Sequence, residues 1–245
     1  MKRIKKQDDW VLGRNQTIPL SKMTTILRWD RISNALAKSI KKHCSNFDQK
    51  VLDIGGGDSS FYHLIKKFCA LYLNIEPSKT MISKFEYTDV NYICRGYGEY
   101  LPCKSEKFDI VIFNSVLDHC FNPALALSES RRVLKPRGKI FILLTNDGAW
   151  YKRLFKKHNL QRKMRCQEHN FYFSSDYVKD LLERENFDDI ILQHFDFLLA
   201  PIIIEEFLFR FVHKKILLFF MELTDQLIGK FFPDKGGSFI CIASK

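Results

Sequence analysis

The hydrophobic positions along this chain fall into short apolar runs that alternate with segments of helical spacing. Runs typical of buried strands cover 51–54, 71–75, 91–94, 108–114 and 139–145. Between 24 and 43, apolar residues recur at intervals of three and four, and 123–134 shows a weaker pattern of the same kind. Strands that alternate with helices through short connections predict an α/β fold, in which helices cover both faces of a doubly wound, mostly parallel sheet.

The second half of the chain continues this alternation with two longer interruptions. Ser174 to Asp176 is a helix-start signal for a helix to about Glu185, and strands are expected at 189–199 and 238–243. Segments 146–172 and 200–236 break the regular pattern, so we expect them to form cap insertions over the sheet. Residues 1–45 are expected to be a helical lead-in, and 1–245 a single domain.

A glycine turn follows the first predicted strand and is the clearest candidate for a binding site. Gly55, Gly56 and Gly57 follow that strand directly, and Ser59 and Ser60 are expected to cap a helix to about Phe68. Glycine lets the backbone approach a ligand closely, and a helix N-terminus offers unpaired N–H groups. Asp53 adds a carboxylate at the end of the strand, where open α/β sheets bind ligands.

An acidic residue at the end of the second strand extends this prediction to a nucleotide. Glu76 lies nineteen residues beyond Gly57, where a carboxylate can accept hydrogen bonds from both ribose hydroxyls. This pair of features alone leaves nicotinamide oxidoreductases and other nucleotide binders open. Ser60 occupies the place of the third glycine in a Gly-x-Gly-x-x-Gly pattern.

The composition limits the classes of partner and site. The 39 basic and 28 acidic residues give a net charge of +11, which favours anionic partners such as nucleotides, nucleic acid or a membrane surface. The 7 cysteines lie far apart without a Cys-x-x-Cys pair, so we expect reduced thiols in a cytoplasmic protein and no metal site. We find no uninterrupted apolar run of the roughly 18 residues that a membrane span needs.

Motifs after the third strand point to one family. They are Glu99-x-Leu-Pro, Lys107-Phe-Asp-Ile-Val-Ile-Phe113, Leu117-Asp-His119, Asn122-Pro-Ala-Leu-Ala-Leu-Ser-Glu129 and Arg132-Val-Leu-Lys-Pro-Arg-Gly138. With the glycine turn, they resemble the class I S-adenosylmethionine-dependent methyltransferases, most closely the small-molecule branch that includes quinone-biosynthesis enzymes. The resemblance covers residues 51–144. It implies a Rossmann-like sheet of seven strands whose last strand is antiparallel, and S-adenosylmethionine as the cofactor.

The resemblance also assigns cofactor-binding roles. Asp53, Gly55 and Gly57 match the motif that holds the methionine part, with Gly56 between them, and Glu76 matches the ribose-binding acid. Tyr97, Gly98 and Glu99 match the loop along the adenine. Asn114 matches the position beside the methionyl group.

The acceptor side of the site is less defined. His119 matches a histidine that faces the substrate, and we expect it to be a catalytic base, with Asp118 either orienting it or acting alone. The alternative is that His119 only lines the pocket. His158 and His169, in the 146–172 insertion, are weaker candidates.

The sequence departs from the family pattern at four positions. Ser59 replaces a glycine of the first motif, and Asp118 replaces the first histidine of a Leu-His-His stretch. Tyr97 stands where Asp or Asn often contacts the adenine amine, and Arg137 replaces a glycine of a Lys-Pro-Gly-Gly turn. The departure at Ser59 makes cofactor affinity the first property to measure.

Several functions and partners stay open at this point. The expected reaction is methyl transfer to a small-molecule acceptor, of which glycan- and lipid-linked compounds are candidates. The apolar stretch 200–232 suits a buried cap, a homodimer contact, peripheral membrane contact or a lipid-like substrate. An RNA or protein methyltransferase is the alternative enzyme, although Asn114-Ser-Val-Leu117 lacks the Pro-Pro stretch used on amino groups, and nucleic acid is not expected. A scaffold without activity is the non-enzymatic alternative.

Overall fold

Seven strands form one sheet in the computed structural model of the protein, which describes residues 22–44, 47–85, 91–149, 170–197, 214–232 and 234–245. The strands are β1 Gln49–Ile54, β2 Cys69–Glu76, β3 Asn91–Arg95, β4 Phe108–Asn114, β5 Leu134–Thr145, β6 Asp188–Phe195 and β7 Ser238–Ser244. Their order is β3-β2-β1-β4-β5-β7-β6. The first five are parallel, and β7 is antiparallel to both β5 and β6. The predicted sheet, including its antiparallel last strand, is confirmed.

Helices flank this sheet, and several begin at side-chain caps. The described helices are α1 Lys22–His43, α2 Tyr62–Ile65, α3 Lys79–Ile82, α4 Pro123–Val133, α5 Ser175–Arg184 and α6 Lys214–Phe231, with 3₁₀ turns at Lys66–Phe68 and Leu117–His119. Asn122 caps α4 and Ser174 caps α5, each accepting the N–H three residues ahead. Such caps satisfy a backbone donor that a helix leaves unpaired. The predicted start of α5 at Ser174 is confirmed.

The core lies on both faces of the sheet, and the alternation of side chains along the central strands divides it. On β4, Val111 and Phe113 belong to the layer that also contains residues of α4 and α5. Ile110 and Ile112 belong to the opposite layer, which contains Leu36 and Ile40 of α1 and Ile65 of α2. A strand buried on both faces is continuously apolar, which explains the uninterrupted apolar run Ile110–Phe113 of β4.

The order of the strands determines where a ligand can bind. From β1 the chain moves outwards to β2 and β3, then returns to place β4 on the other side of β1. The connections after β1 and β4 therefore leave the sheet in opposite directions and open a crevice at its carboxyl end. Ile54 and Asn114 end the two strands that flank this crevice.

The helix expected after the glycine turn differs from the prediction. It has a single α-helical turn, α2, followed by the 3₁₀ turn Lys66–Phe68. Neither Ser59 nor Ser60 caps it, because α2 begins at Tyr62 without a side-chain cap. Ser59 instead has a φ of 62° and lies in the left-handed region. Serine is a common cap residue, but the left-handed backbone at Ser59 is not the conformation of a helix cap.

The two predicted caps are described only in part, because 150–169 and 198–213 lie outside the described residues. His158 and His169 fall there. In the described part of the second cap, Asp225 of α6 forms an ion pair with Arg31 of α1, which also pairs with Asp196 after β6. The ion pairs thus fasten α6 to α1. No helix in the described ranges is long and apolar enough to cross a membrane.

Candidate functional site

A cavity of about 730 Å³ opens at the carboxyl ends of β1, β2 and β4. Its volume lies in the range of roughly 300–1,000 Å³ that small-molecule sites occupy. The sequence-predicted residues that line it are Asp53, Gly55, Gly56, Gly57, Glu76, Tyr97, Gly98, Glu99, Asn114 and His119. Residues that are far apart in the sequence thus meet in one crevice at the switch point of the sheet. Their individual roles stay predictions.

The glycine turn needs its glycines for two different reasons. Gly55 has a φ of 68°, and a Cβ there would lie 2.4 Å from Val116 Cγ1. Gly56 packs on the side chains below it, since its Cβ would lie 2.3 Å from Asp53 Oδ2 and 2.9 Å from Asn74 Oδ1. An L-residue side chain is excluded at both positions unless the neighbours move. The turn is therefore pressed closely against β1 and β2.

The N–H groups of this turn face the protein. The N–H of Gly55 donates to Ile75 O (2.8 Å), and that of Gly56 donates to Asn74 Oδ1 (3.0 Å). The N–H of Gly57 donates to Glu76 Oε2 (3.0 Å). Acceptors on β2 therefore satisfy the N–H groups of all three glycines.

One face of β2 carries the polar side chains that hold the turn, and sequence reasoning identified Glu76 alone among them. Tyr72, Asn74 and Glu76 alternate along the strand and so lie on the same face. Tyr72 donates its hydroxyl hydrogen to Asp53, and the side chains of Asn74 and Glu76 bind the turn. Their spacing of two, inside an otherwise apolar strand, is the signal that could have found all three.

Asp53 is an acid in a fully buried position. Burial raises the pKa of its carboxyl group to about 7, the hydrogen bond from Tyr72 opposes this rise, and the nearby charge of Glu76 adds to it. Its Oδ2 accepts the bond from Tyr72, whereas its Oδ1 is buried without a hydrogen-bond partner among the described residues. A buried acceptor left unpaired costs stability, which calls for an explanation in function.

Asn114 presents a second acceptor of the same kind. It ends β4, the strand next to β1, and within the described part of the chain its Oδ1 is also buried without a hydrogen-bond partner. Asp53 and Asn114 both line the cavity. A ligand with N–H or O–H donors, or with a positive charge, would satisfy such oxygens.

Glu76 is nearly buried and already holds backbone groups on both sides. Its Oε2 accepts the Gly57 N–H, and its Oε1 accepts the Ser78 N–H (2.8 Å). Each carboxylate oxygen can accept more than one hydrogen bond, so capacity remains for hydroxyl donors in the cavity. Glu76 therefore joins the glycine turn to the start of α3.

The 97–99 loop forms the next part of the wall. Glu99 is buried, and its Oε1 accepts the N–H groups of Phe121 (2.6 Å) and Asn122 (3.2 Å). The ring of Tyr97 lies at a tilt to Phe121, with centroids 6.4 Å apart. Glu99 thus connects the loop to the segment before α4 and shapes the cavity through the backbone.

His119 and Asp118 are separated by the fold. His119 lines the cavity, whereas Asp118 is buried beside a small separate hollow with Leu144 and Phe171. Asp118 is not among the described residues that line the cavity, and its role, either orienting His119 or acting alone as a base, stays a prediction. Successive residues of a single 3₁₀ turn point in different directions, which separates the two side chains.

The end of the first cap is fastened to this same turn. Asn170 and Phe171 donate their N–H groups to Asp118 O (3.0 and 3.1 Å), and Asn170 Nδ2 donates to His119 O (2.7 Å). Asn170 and Tyr172 line the cavity beside His119. Sequence reasoning placed a cap here without identifying these two residues.

The charged residues of the cavity wall are acidic. Within the described part of the chain, the wall contains neither Lys nor Arg, although the protein has a net charge of +11. Its charged residues are Asp30, Asp53, Asp58, Glu76 and Glu99. An acidic wall in a low-dielectric crevice favours a cationic ligand over an anionic one.

The site geometry and the acidic wall agree with a comparison of the sequence with known families. Residues 52–142 match the family model described as a methyltransferase domain. Residues 52–142 are thus similar to a methyltransferase domain. The resemblance of the motifs to the S-adenosylmethionine-dependent methyltransferases is confirmed over these residues.

Two curated relatives match parts of the chain. An uncharacterised protein of Methanocaldococcus jannaschii is 36% identical over 113 residues, which cover 46% of this chain and 48% of that protein. A ubiquinone biosynthesis O-methyltransferase of Coxiella burnetii is 24% identical over 115 residues, 44% of this chain and 49% of that enzyme. The matched stretch therefore spans about half the length of these relatives.

Solved structures share the fold over most of the chain. An S-adenosylmethionine-dependent methyltransferase from Thermotoga maritima superposes with a TM-score of 0.62 and 17% identity, covering 91% of this chain and 96% of that one. Identity this low shows the fold, and the methyltransferase assignment rests on the family model.

Proposed function

We propose that this protein binds S-adenosylmethionine in the cavity and transfers its methyl group to a small-molecule acceptor. Two buried oxygens, Asp53 Oδ1 and Asn114 Oδ1, carry the proposal, because neither has a hydrogen-bond partner among the described residues. They lie in a wall whose described charged residues are acidic. S-adenosylmethionine is a cation that carries an ammonium group, an amine and ribose hydroxyls, which are the donors that such a wall lacks.

The roles of individual residues follow from their places in the wall. When bound, the cofactor supplies an electrophilic sulfonium methyl group. Asp53 and Asn114 would accept hydrogen bonds from its methionyl part, and Glu76 would accept those of the ribose. The 97–99 loop would lie along the adenine. These contacts would orient the cofactor for methyl transfer to an acceptor in the rest of the cavity. Orientation is a large part of what an enzyme contributes to a displacement at a methyl group.

The acceptor would occupy the part of the cavity that the bound cofactor leaves free. Asp30, Ser33 and Asn34 of α1 line it, as do His119 and Tyr172. His119 would take a proton from an oxygen or nitrogen nucleophile; its position in the cavity wall supports this role, and neutral imidazole is an effective base near pH 7. The scarcity of cations in the described wall disfavours a phosphate-rich acceptor such as RNA.

An acceptor in a lipid-linked form, with membrane contact through 200–232, extends this proposal. On the described part of α6, Phe219 is 61% exposed and Phe231 is 78% exposed, which is unusual for large apolar side chains. Co-sedimentation with vesicles of anionic and of neutral lipid tests the contact. Binding that depends on anionic lipid supports it, and absence of binding to both contradicts it.

Methyl transfer itself can be tested with labelled cofactor. Purified protein, methyl-labelled S-adenosylmethionine and a cell extract are incubated, and the label is measured in small-molecule, lipid, RNA and protein fractions. The proposal predicts label in the small-molecule or lipid fraction that disappears with the Asp53→Asn variant. Label confined to RNA or protein would contradict it. Cofactor binding without transfer to any fraction would favour the scaffold alternative.

A further inference from the structure

Asn74 makes three side-chain hydrogen bonds to the glycine turn and the serine that follows it. Its side chain is fully buried on β2. Its Nδ2 donates to Gly57 O (3.0 Å) and to Ser59 Oγ (2.8 Å), and its Oδ1 accepts the Gly56 N–H (3.0 Å). A primary amide can make four hydrogen bonds, and Asn74 thus uses three of them on this one turn.

Ser59 is the residue of this turn with the least favourable backbone conformation. Its φ of 62° lies in the left-handed region, which glycine adopts freely and which other residues adopt at a steric cost. Ser59 is also buried, so its hydroxyl depends on protein groups for its hydrogen bonds. Its N–H donates to Gly56 O (2.9 Å), which closes the turn, and its Oγ accepts the bond from Asn74. Asn74 therefore holds the strained residue at the position where the turn closes.

We propose that Asn74 and Ser59 form a coupled pair of positioning residues that keeps the glycine turn in its cofactor-binding geometry. The inference rests on the proposed function, because it concerns the same site. The hydrogen bonds of Asn74 hold residue 59 in the left-handed conformation. A glycine at position 59 would adopt this conformation without such support, because it lacks a side chain. Replacing Ser59 by glycine should then make Asn74 less necessary.

Two substitutions at one position separate this role from simple packing. Ser59→Ala and Ser59→Gly both remove the Oγ acceptor, but only glycine relieves the strain of the left-handed conformation. We expect Ser59→Ala to weaken S-adenosylhomocysteine binding about fivefold and Ser59→Gly to leave it within about twofold of the original protein. Equal affinities for the two variants would overturn the inference.

A double-mutant cycle with Asn74→Ala tests the coupling directly. We expect Asn74→Ala to weaken S-adenosylhomocysteine binding at least tenfold, and Ser59→Gly in the same chain to recover part of that loss. If the two substitutions act independently, the effect of Asn74→Ala on affinity will be the same in both backgrounds, and the coupled role is wrong. Urea unfolding of each variant verifies that the measured chains are folded.

Amide hydrogen exchange without cofactor gives a readout that does not depend on binding. Asn74→Ala should speed exchange at the Gly56 N–H, because its acceptor is lost, and leave the Gly55 N–H protected, because Ile75 O still accepts it. Unchanged exchange at Gly56 would overturn the inference. If the original protein fails to bind S-adenosylhomocysteine while this exchange pattern appears, the proposed function fails and the role of Asn74 in shaping the turn stands.

Discussion

Asp53 combines complete burial with a carboxyl group, which makes Asp53→Asn an informative perturbation. The pKa of Asp53 is about 7 in the folded protein, raised from 3.8 mainly by burial. Between these values the folded protein keeps a proton that the unfolded chain releases. The contribution of this group to stability therefore falls as the pH rises from about 4 to about 7, and stays constant above that.

The size of the effect follows from the same two pKa values. From pH 5 to about pH 7, the unfolded chain is largely ionised at Asp53, whereas the folded protein keeps the proton. The free energy of unfolding falls by about 1.4 kcal/mol for each of these roughly two pH units, which is about 3 kcal/mol between pH 5 and pH 8. Asparagine does not titrate. We therefore expect the stability difference between Asp53→Asn and the original protein to change by about 3 kcal/mol in favour of the variant over this range.

Urea unfolding at pH 5 and pH 8 measures this change, and comparing the two pH values cancels the packing cost of the amide. Asp58→Asn is the matched control, because Asp58 lies in the same turn with its side chain exposed. Asp58→Asn should leave the pH dependence of stability within about 1 kcal/mol of the original. An identical pH dependence for Asp53→Asn and the original protein would refute the assignment of a raised pKa to Asp53.

The same residue links cofactor binding to pH. A cation bound beside Asp53 favours its ionised form, so binding below pH 7 must release a proton. S-adenosylmethionine affinity should therefore fall as the pH drops from 7 to 5 in the original protein, and should be low and nearly independent of pH in Asp53→Asn. Calorimetry in two buffers of different ionisation enthalpy would detect the released proton. Equal heats in both buffers at pH 6 would contradict the linkage.

Three further predictions concern other residues. Glu76→Ala should weaken S-adenosylhomocysteine binding about tenfold or more, as measured by calorimetry, because hydrogen bonds to a carboxylate are lost; unchanged affinity would refute its ribose role. His119→Ala should lower kcat about a hundredfold with little change in cofactor affinity, and an unaffected kcat would leave His119 as a wall residue. Arg31→Met should lower the unfolding free energy by about 3 kcal/mol or more because two carboxylates lose their buried partner, whereas Lys179→Met, which breaks an exposed pair, should cost less than about 1 kcal/mol.

The sequence predicted the sheet well because each of its strands carries a local signal. The apolar run of β4 and the polar residue that ends it were sufficient to place Asn114 at the carboxyl end of this strand. The motifs then identified the family, and the family implied the antiparallel last strand. Periodicity alone would not have supplied that direction, because alternation is the same in parallel and antiparallel strands.

The site was predicted less completely, because its geometry depends on contacts between distant residues. Asn74 and Glu76 accept two of the turn N–H groups from the neighbouring strand, and nothing local in the sequence indicates these partners. Asp118 and His119 are adjacent in the sequence, yet the 3₁₀ turn sends them to different surroundings. Backbone direction at a turn and partners across a sheet are tertiary properties, which local patterns do not encode.

Arg137 illustrates a departure that the fold accommodates. It replaces a glycine of the family turn and has a φ of 63°, the left-handed conformation that glycine favours. Its N–H donates to Lys245 O (3.1 Å), and the Lys245 N–H donates to Gly138 O (2.9 Å). These two bonds between the start of β5 and the end of the chain stabilise the strained turn, which lies outside the cavity wall.

Calorimetric titration of the intact protein with S-adenosylhomocysteine at pH 8 tests the central claim most directly. The acidic wall and its two unpaired oxygens predict saturable binding of one molecule per chain, weakened by both Asp53→Asn and Glu76→Ala and unaffected by Asp180→Asn, which changes an exposed residue of α5 outside the described cavity wall. The absence of saturable binding, or equal affinities for all three variants, would contradict the assignment of this cavity as the cofactor site.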